Sequence, residues 1–300
     1  MLNRDGLPLF EQINEKHISP AVNEVLKDNR LTIKKVESNK EDPNWENFVS
    51  PLQKINEKLS RVWSQINHLN SVVNNKELRL IYNKNLNKIT KYHSELSQNE
   101  LIYKKFINIK SGKHYQKLKA PQKKIITDEI LGFELGGVGL DNTKKLEFKK
   151  IISKLSKLSA SFEENLLDSV NNYSLLITDK NRLKGIPKDV LVKAKIDAEL
   201  QKKPGWAFSL DFPCYMPVMQ YADDREFRKQ IYYAYATKAS DLSDKNKDNT
   251  NNINKILLNK QRLANLLGFS DYASMALTTK MANSSKEVIT FLDDLANKAK

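Results

Sequence analysis

Four histidines, His17, His68, His93 and His114, and one cysteine, Cys214, are the side chains in this 300-residue sequence best suited to bind a transition metal or to move protons near neutral pH. A zinc site built on a helix sets two histidines three to five residues apart so that both face the ion. No pair here has that spacing, and His-Glu-x-x-His does not occur. His68, in QINHLNSV beside Trp63 and Leu69, is the best placed of the four, and at such a helix end a histidine satisfied by its neighbours outweighs a metal ligand. Cys214 stands between Pro213 and Tyr215 with no histidine close in sequence, which suits a buried, inert thiol; a lone cysteine forms no internal disulfide.

The glycine-rich stretch GFELGGVGL (132–140) could in principle cradle a phosphate, but Gly132 and Gly137 are followed by Val138, so the lysine and hydroxyl of a phosphate loop are missing. A dinucleotide fingerprint needs a preceding strand, and a helical pattern precedes instead. The expectation is a turn between two helices whose glycines reach positive φ. Tyr232, Tyr233 and Tyr235 could offer hydroxyls to a peptide, although a helix core with exposed rims fits their spacing better. No catalytic or metal-ligating residue is therefore assigned within 1–300, and substrate-binding residues are left unassigned.

A net charge of +14 raises the question of nucleic acid. Only 8 of the 50 basic residues are arginine, the side chain that forks onto phosphate and guanine, and the lysine pairs are scattered, as at 34–35, 104–105 and 149–150. Solvated helix faces explain this better than a nucleic-acid partner. The first ten residues, MLNRDGLPLF, lack the apolar run of a signal peptide, and no run of 18 apolar residues follows. The expectation is a cytoplasmic protein with neither nucleic-acid nor membrane partner.

These side chains sit in a sequence patterned almost throughout for helix, so the fold class expected is all-α. Pro20 after Ser19 opens a first helix whose face runs through Val22, Val25, Leu26 and Ile33, with Asn29 interrupting it. Pro51 opens a second, with Leu52, Ile55, Leu59, Val62, Trp63 and Ile66 on one stripe. A third spans Lys76 to about Gln98 with Leu80, Ile81, Leu86, Ile89 and Leu96, a fourth spans Glu100 to Lys110, and a fifth follows Pro121. The longest, near 142–173 and capped by Asn142 or Thr143, carries Phe148, Ile151, Leu155, Leu158, Phe162, Leu166 and Val170 without proline or glycine. Residues 179–187 mark a break, giving one helical lobe over 1–178 and the start of a second region over 179–300. After a helix to about Lys203, alternation at Trp206, Phe208 and Leu210 predicts a short strand-like excursion near 206–212, halted by Pro213 and Pro217. Asp223 with Glu226 resembles a helix cap, followed by a polar loop and a helix carrying Ile253, Ile256, Leu257, Leu263, Ala264 and Leu267 that ends at Gly268. A last helix, capped by Ser284 with Glu287, places Val288, Phe291, Leu292, Leu295 and Ala299 on one face and has no terminating glycine.

Four stretches carry a resemblance: HLNSV (68–72), FELGGVGL (133–140), LDFPCYMPVMQYADDREFRKQIYYAYATKAS (210–240) and LANLLGFSDYASMALTTKMANSSKEVITFLDDLA (263–296). In this order they resemble the amino-terminal half of the thimet oligopeptidase family of zinc metallopeptidases. The resemblance implies two largely helical lobes around a deep channel whose narrow mouth admits short unstructured peptides. It also implies a His-Glu-x-x-His helix and a more distant glutamate as third zinc ligand, both beyond the part matched here, so zinc would belong to the complete enzyme and not to residues 1–300. The expectation is the amino-terminal portion of an oligopeptidase, one wall of its channel, inactive alone and paired with a carboxyl-terminal half. The alternative is a truncated, non-enzymatic helical module that binds peptides or a partner.

Overall fold

A computed structural model describes residues 1–2 and 6–299; Lys300, the end of the second region expected from sequence, lies outside them. Twelve α-helices and one two-stranded sheet account for the described residues, and the fold is mainly all-α. They divide into two compact units, Met1–Ser156 with Leu258–Lys300, and Lys157–Leu257.

In the first unit, helix α1 (Glu15–Ser38) buries Ile18, Val22, Val25, Leu26 and Ile33. It begins a full turn before the position expected from Ser19 and Pro20. Asn14 precedes it, and the Asn14 N–H donates to His17 Nδ1 at 3.3 Å, so a side chain satisfies a backbone donor that the helix leaves open. Pro20 sits inside the helix, early enough to be tolerated. Asn29 does not interrupt the face. It is fully buried and donates to Ile55 O at 3.3 Å and to the Tyr92 hydroxyl at 3.2 Å, tying three helices together.

A π-helical turn, Trp45–Val49, is capped by Asn44, which accepts from Glu46 N and Asn47 N at 2.9 Å, and it leads into α2 (Ser50–Val72). The apolar stripe of α2 is buried as its spacing predicts, from Leu52 to Ile66. Helix α3 (Lys76–Leu96) buries Ile89 and packs Ile81, Leu86 and Leu96 against the core as read in sequence, but Leu80 is 66% exposed, and Leu78, Tyr82 and Tyr92 join the buried face. The rings of Tyr82 and Tyr92 widen the inward face because they remove more apolar area from water. Helix α4 (Glu100–Ser111) and α5 (Ala120–Leu135) complete this core, where Phe106 meets Phe48 at 4.9 Å and Phe133 at 5.9 Å between ring centres.

Gly132 lies inside α5, and only Gly137, at φ +77°, uses the left-handed region expected of the glycine-rich turn. Helix α6 (Asn142–Asn171) is about 45 Å long at 1.5 Å per residue. Its first-turn donor is satisfied by Asp141, whose Oδ1 accepts from Lys144 N at 2.9 Å, rather than by Asn142 or Thr143. Asp can reach back from the preceding residue without entering the helix. Phe148 and Ile151 of α6 pack with Leu263 as a small core of the first unit.

In the second unit, Leu175–Ile177 (β1) pairs antiparallel with Trp206–Phe208 (β2), in the register Leu176 opposite Ala207. The excursion expected near 206–212 is thus a three-residue strand, and its partner β1 is too short to show a period in sequence. Between them runs α7 (Lys188–Leu200). Residues Phe212–Tyr221 form a helix, α8, with Pro213 in its first turn and Pro217 inside. Helix α9 (Arg225–Ala236) is capped by Asp224, one residue after the expected Asp223. Phe208, Phe227, Ile231 and Val218 anchor the core of this unit.

Helix α10 (Thr250–Leu266) takes up part of the stretch expected to be loop. Its Ile253 and Leu257 are exposed instead of lying on the buried face, which holds Asn259, Leu263 and Ala264. Gly268, at φ +86°, closes it, and Phe269 N bonds back to Ala264 O at 2.9 Å. A short helix not expected from the sequence, α11 (Tyr272–Leu277), precedes α12 (Ser285–Lys298). Ser284 caps α12 through Glu287 N at 3.2 Å, while the Glu287 carboxylate accepts from Asn283 N at 2.7 Å. The apolar side of α12 is largely open among the described residues: Phe291, Leu292 and Leu295 are 60%, 54% and 47% exposed.

Candidate functional site

The histidines are dispersed. His17 serves the start of α1, His68 sits with its ring 5.1 Å from that of Phe10, and His114 lines a polar cleft beside Trp45 and Lys117. Among the described residues no three His, Cys, Asp or Glu side chains converge to hold a metal ion, so the donors present do not fit zinc and no step is routed through one. Cys214 is buried, and burial pushes its thiol up, away from the thiolate a nucleophile needs. The three tyrosines do not form one surface: Tyr232 and Tyr233 are exposed, whereas Tyr235 stacks on Tyr215 at 3.8 Å with Lys238 over its ring.

The fourth histidine, His93, lines the principal recess of the first unit, a cavity of about 740 Å³ between α2, α3, α5 and α6. Its walls are apolar, with Leu59 and Trp63 from α2, Leu96 from α3, Phe133 from α5, and Phe148 and Ile152 from α6. Trp63 is steadied by stacking on Tyr82, 5.1 Å between ring centres and 18° between planes. Between these large apolar side chains the lining also carries short ones or none at all, which leaves the space open. Ser60, Ser64, Ser94 and Ser97 line it, and so does Gly132, where an added Cβ would meet nothing within 4 Å.

Two titratable groups give the recess its electrostatics. Burial raises the Glu129 carboxyl above its ordinary range, against a hydrogen bond from Gln53 Nε2 to its Oε1 at 2.9 Å that favours the ionised form, while the Asp128 charge adds to the rise. Desolvation lowers His93 below the ordinary imidazole range and so disfavours its charged form. Among the described residues no lysine or arginine lines the cavity. The arrangement suits an uncharged or positively charged ligand with an apolar body. Sequence reasoning assigned Glu129 no part and read Gly132 only as a turn glycine of GFELGGVGL; the one available signal was a glycine at a position where the α5 pattern continues.

Two family models match the chain: the neurolysin/thimet oligopeptidase amino-terminal domain over residues 22–145, and peptidase family M3 over residues 218–300. Oligopeptidase A of Haemophilus influenzae is 38% identical, with 100% of this chain and 44% of the relative aligned. Oligopeptidase A of Escherichia coli is 37% identical over 98% of this chain and 44% of its own length, and a probable cytosolic oligopeptidase A of Arabidopsis thaliana is 34% identical over 95% and 41%. The chain thus spans less than half the length of the curated relatives it matches. It belongs to the M3 peptidase family, and corresponds to the amino-terminal part of the oligopeptidases A within it.

Proposed function

We propose that this chain is the amino-terminal portion of a cytoplasmic, zinc-dependent oligopeptidase that hydrolyses short peptides, and that its helices form one wall of the substrate channel. The observation that carries the reading is the match to oligopeptidase A along the whole chain at 37–38% identity. In such an enzyme zinc would polarise the peptide carbonyl and ready a water for attack. On this reading the portion contributes shape and selection, while the metal ligands and general base come from other polypeptide. Short unstructured peptides are the substrates and a carboxyl-terminal half is the partner. The test joins this chain to the remainder of the Haemophilus influenzae relative. Chelator-sensitive cleavage of a short peptide, without cleavage of a folded protein, is expected, and a well-folded but inert hybrid counts against the reading.

A second reading, a helical module that binds peptides or a partner without hydrolysing them, draws on the open apolar side of α12. It requires the chain to self-associate or to capture a hydrophobic dye there. Sedimentation as a monomer with no dye uptake would remove its support.

A further inference from the structure

We propose that the recess of the first unit binds the ammonium end of a small amphipathic molecule, with Glu129 receiving the charge and the apolar walls receiving the body. Two sources share this chemistry: the free amino terminus of a peptide that begins with an apolar residue, and an aralkyl amine. The inference concerns binding alone and stands or falls independently of any hydrolysis.

Three observations point to it. A volume of about 740 Å³ matches a small-molecule site, and its walls are apolar with few polar groups, the usual composition of such sites. Among the described residues no lysine or arginine lines this cavity, and Glu129 is the one acidic residue that does. A carboxylate partly removed from water, held by a single hydrogen bond from Gln53, gains from an incoming cation what it has lost in hydration. Desolvation of His93, which lines the same recess, disfavours a competing positive charge there.

Gly132 supplies the third observation. Glycine inside a helix is less stable than alanine by about 1 kcal/mol, and steric crowding does not require it here, because a Cβ would meet nothing within 4 Å. Its φ is not in the left-handed region either. The missing side chain does keep the mouth of the recess open, since any longer residue at this point of α5 would project into it.

The ligand's ammonium is thus placed against Glu129, its first apolar group between Trp63, Leu59 and Phe133, and the serine hydroxyls are left to meet the remaining polar atoms. An acidic ligand is disfavoured, because its charge would face Glu129 with no lysine or arginine among the described lining residues to offset it.

The chain is titrated with phenethylamine and with the tripeptide Phe-Ala-Ala, followed by tryptophan fluorescence and calorimetry. The counterparts without an ammonium are 3-phenylpropionate and N-acetyl-Phe-Ala-Ala. Saturable binding of at least one ammonium compound with a Kd of about 1 mM or tighter is expected, and the tighter of the two names the source. Glu129→Gln should weaken it about tenfold through loss of one charge-assisted hydrogen bond, Gly132→Leu should abolish it by filling the space, and Gly132→Ala should retain it. Thermal melting verifies folding, and if Gly132→Leu does not fold, Glu129→Gln decides. Equal or tighter binding of 3-phenylpropionate or the acetylated peptide, unchanged affinity in Glu129→Gln, or no saturable binding of either ammonium compound would overturn the proposal.

Discussion

Arg182 Nε donates to Asp224 Oδ2 at 2.6 Å, while the other carboxylate oxygen of Asp224 accepts from Phe227 N at 2.9 Å. One side chain therefore caps α9 and holds the loop before α7 at the same time. Arg182 also lies over the Phe227 ring at 5.8 Å, so the pair roofs the core of the second unit.

Asp224→Ala removes both roles and should destabilise this unit by about 1–2 kcal/mol in urea unfolding, the usual range for a lost cap. Asp224→Asn keeps a good capping oxygen and should lose less. The Arg182 hydrogen bond, then that from Phe227 N, holds the Asp224 carboxyl below its ordinary range. A depressed folded value means that this stabilisation is present above the ordinary aspartate range and is lost as pH falls through the depressed one. Stability measured from neutral pH downward should decline less steeply in Asp224→Asn than in the native chain.

Asn29 and Tyr92 are buried partners at 3.2 Å, and Asn29 also serves Ile55 O. Asn29→Ala leaves the Tyr92 hydroxyl without this partner and should cost about 2–3 kcal/mol in a denaturant titration. A double-mutant cycle with Tyr92→Phe should return a coupling of about 1 kcal/mol; additive losses would mean that the hydrogen bond contributes nothing.

Two glycines should respond in opposite directions. At Gly185, φ is +85° and a Cβ would stand 1.9 Å from Tyr221 O, so Gly185→Ala should lose at least about 2 kcal/mol. Gly132→Ala replaces a helical glycine in open space and should gain up to about 1 kcal/mol. Thermal unfolding of the two variants, side by side with the native chain, checks the contrast.

The helices were legible where stripes of aliphatic side chains repeat over many turns, as in α2, where every expected apolar position is buried or half-buried. Legibility failed where a polar or aromatic residue takes the inward position. Asn29 reads as a break yet is buried, and Leu80 reads as core but yields to Tyr82 and Tyr92. Caps shifted by one residue, from Asp223 to Asp224 and from Asn142 to Asp141, because several capping types stand side by side and only packing chooses among them. The recess was not legible at all. Its wall residues run from Asn56 to Ile152 on four helices, and no local pattern announces that Glu129, His93 and Gly132 meet.

The proposal that this chain supplies the wall and not the chemistry of an oligopeptidase is tested most directly with the purified 300 residues. A quenched fluorescent peptide is incubated with the chain alone, with added zinc, and with zinc followed by a chelator, and bound zinc is quantified after dialysis. The expected result is a folded, helical chain with no stoichiometric zinc and no cleavage under any condition. Cleavage that copurifies with the chain and disappears on chelation would contradict it, and would place the metal-bearing chemistry within these residues.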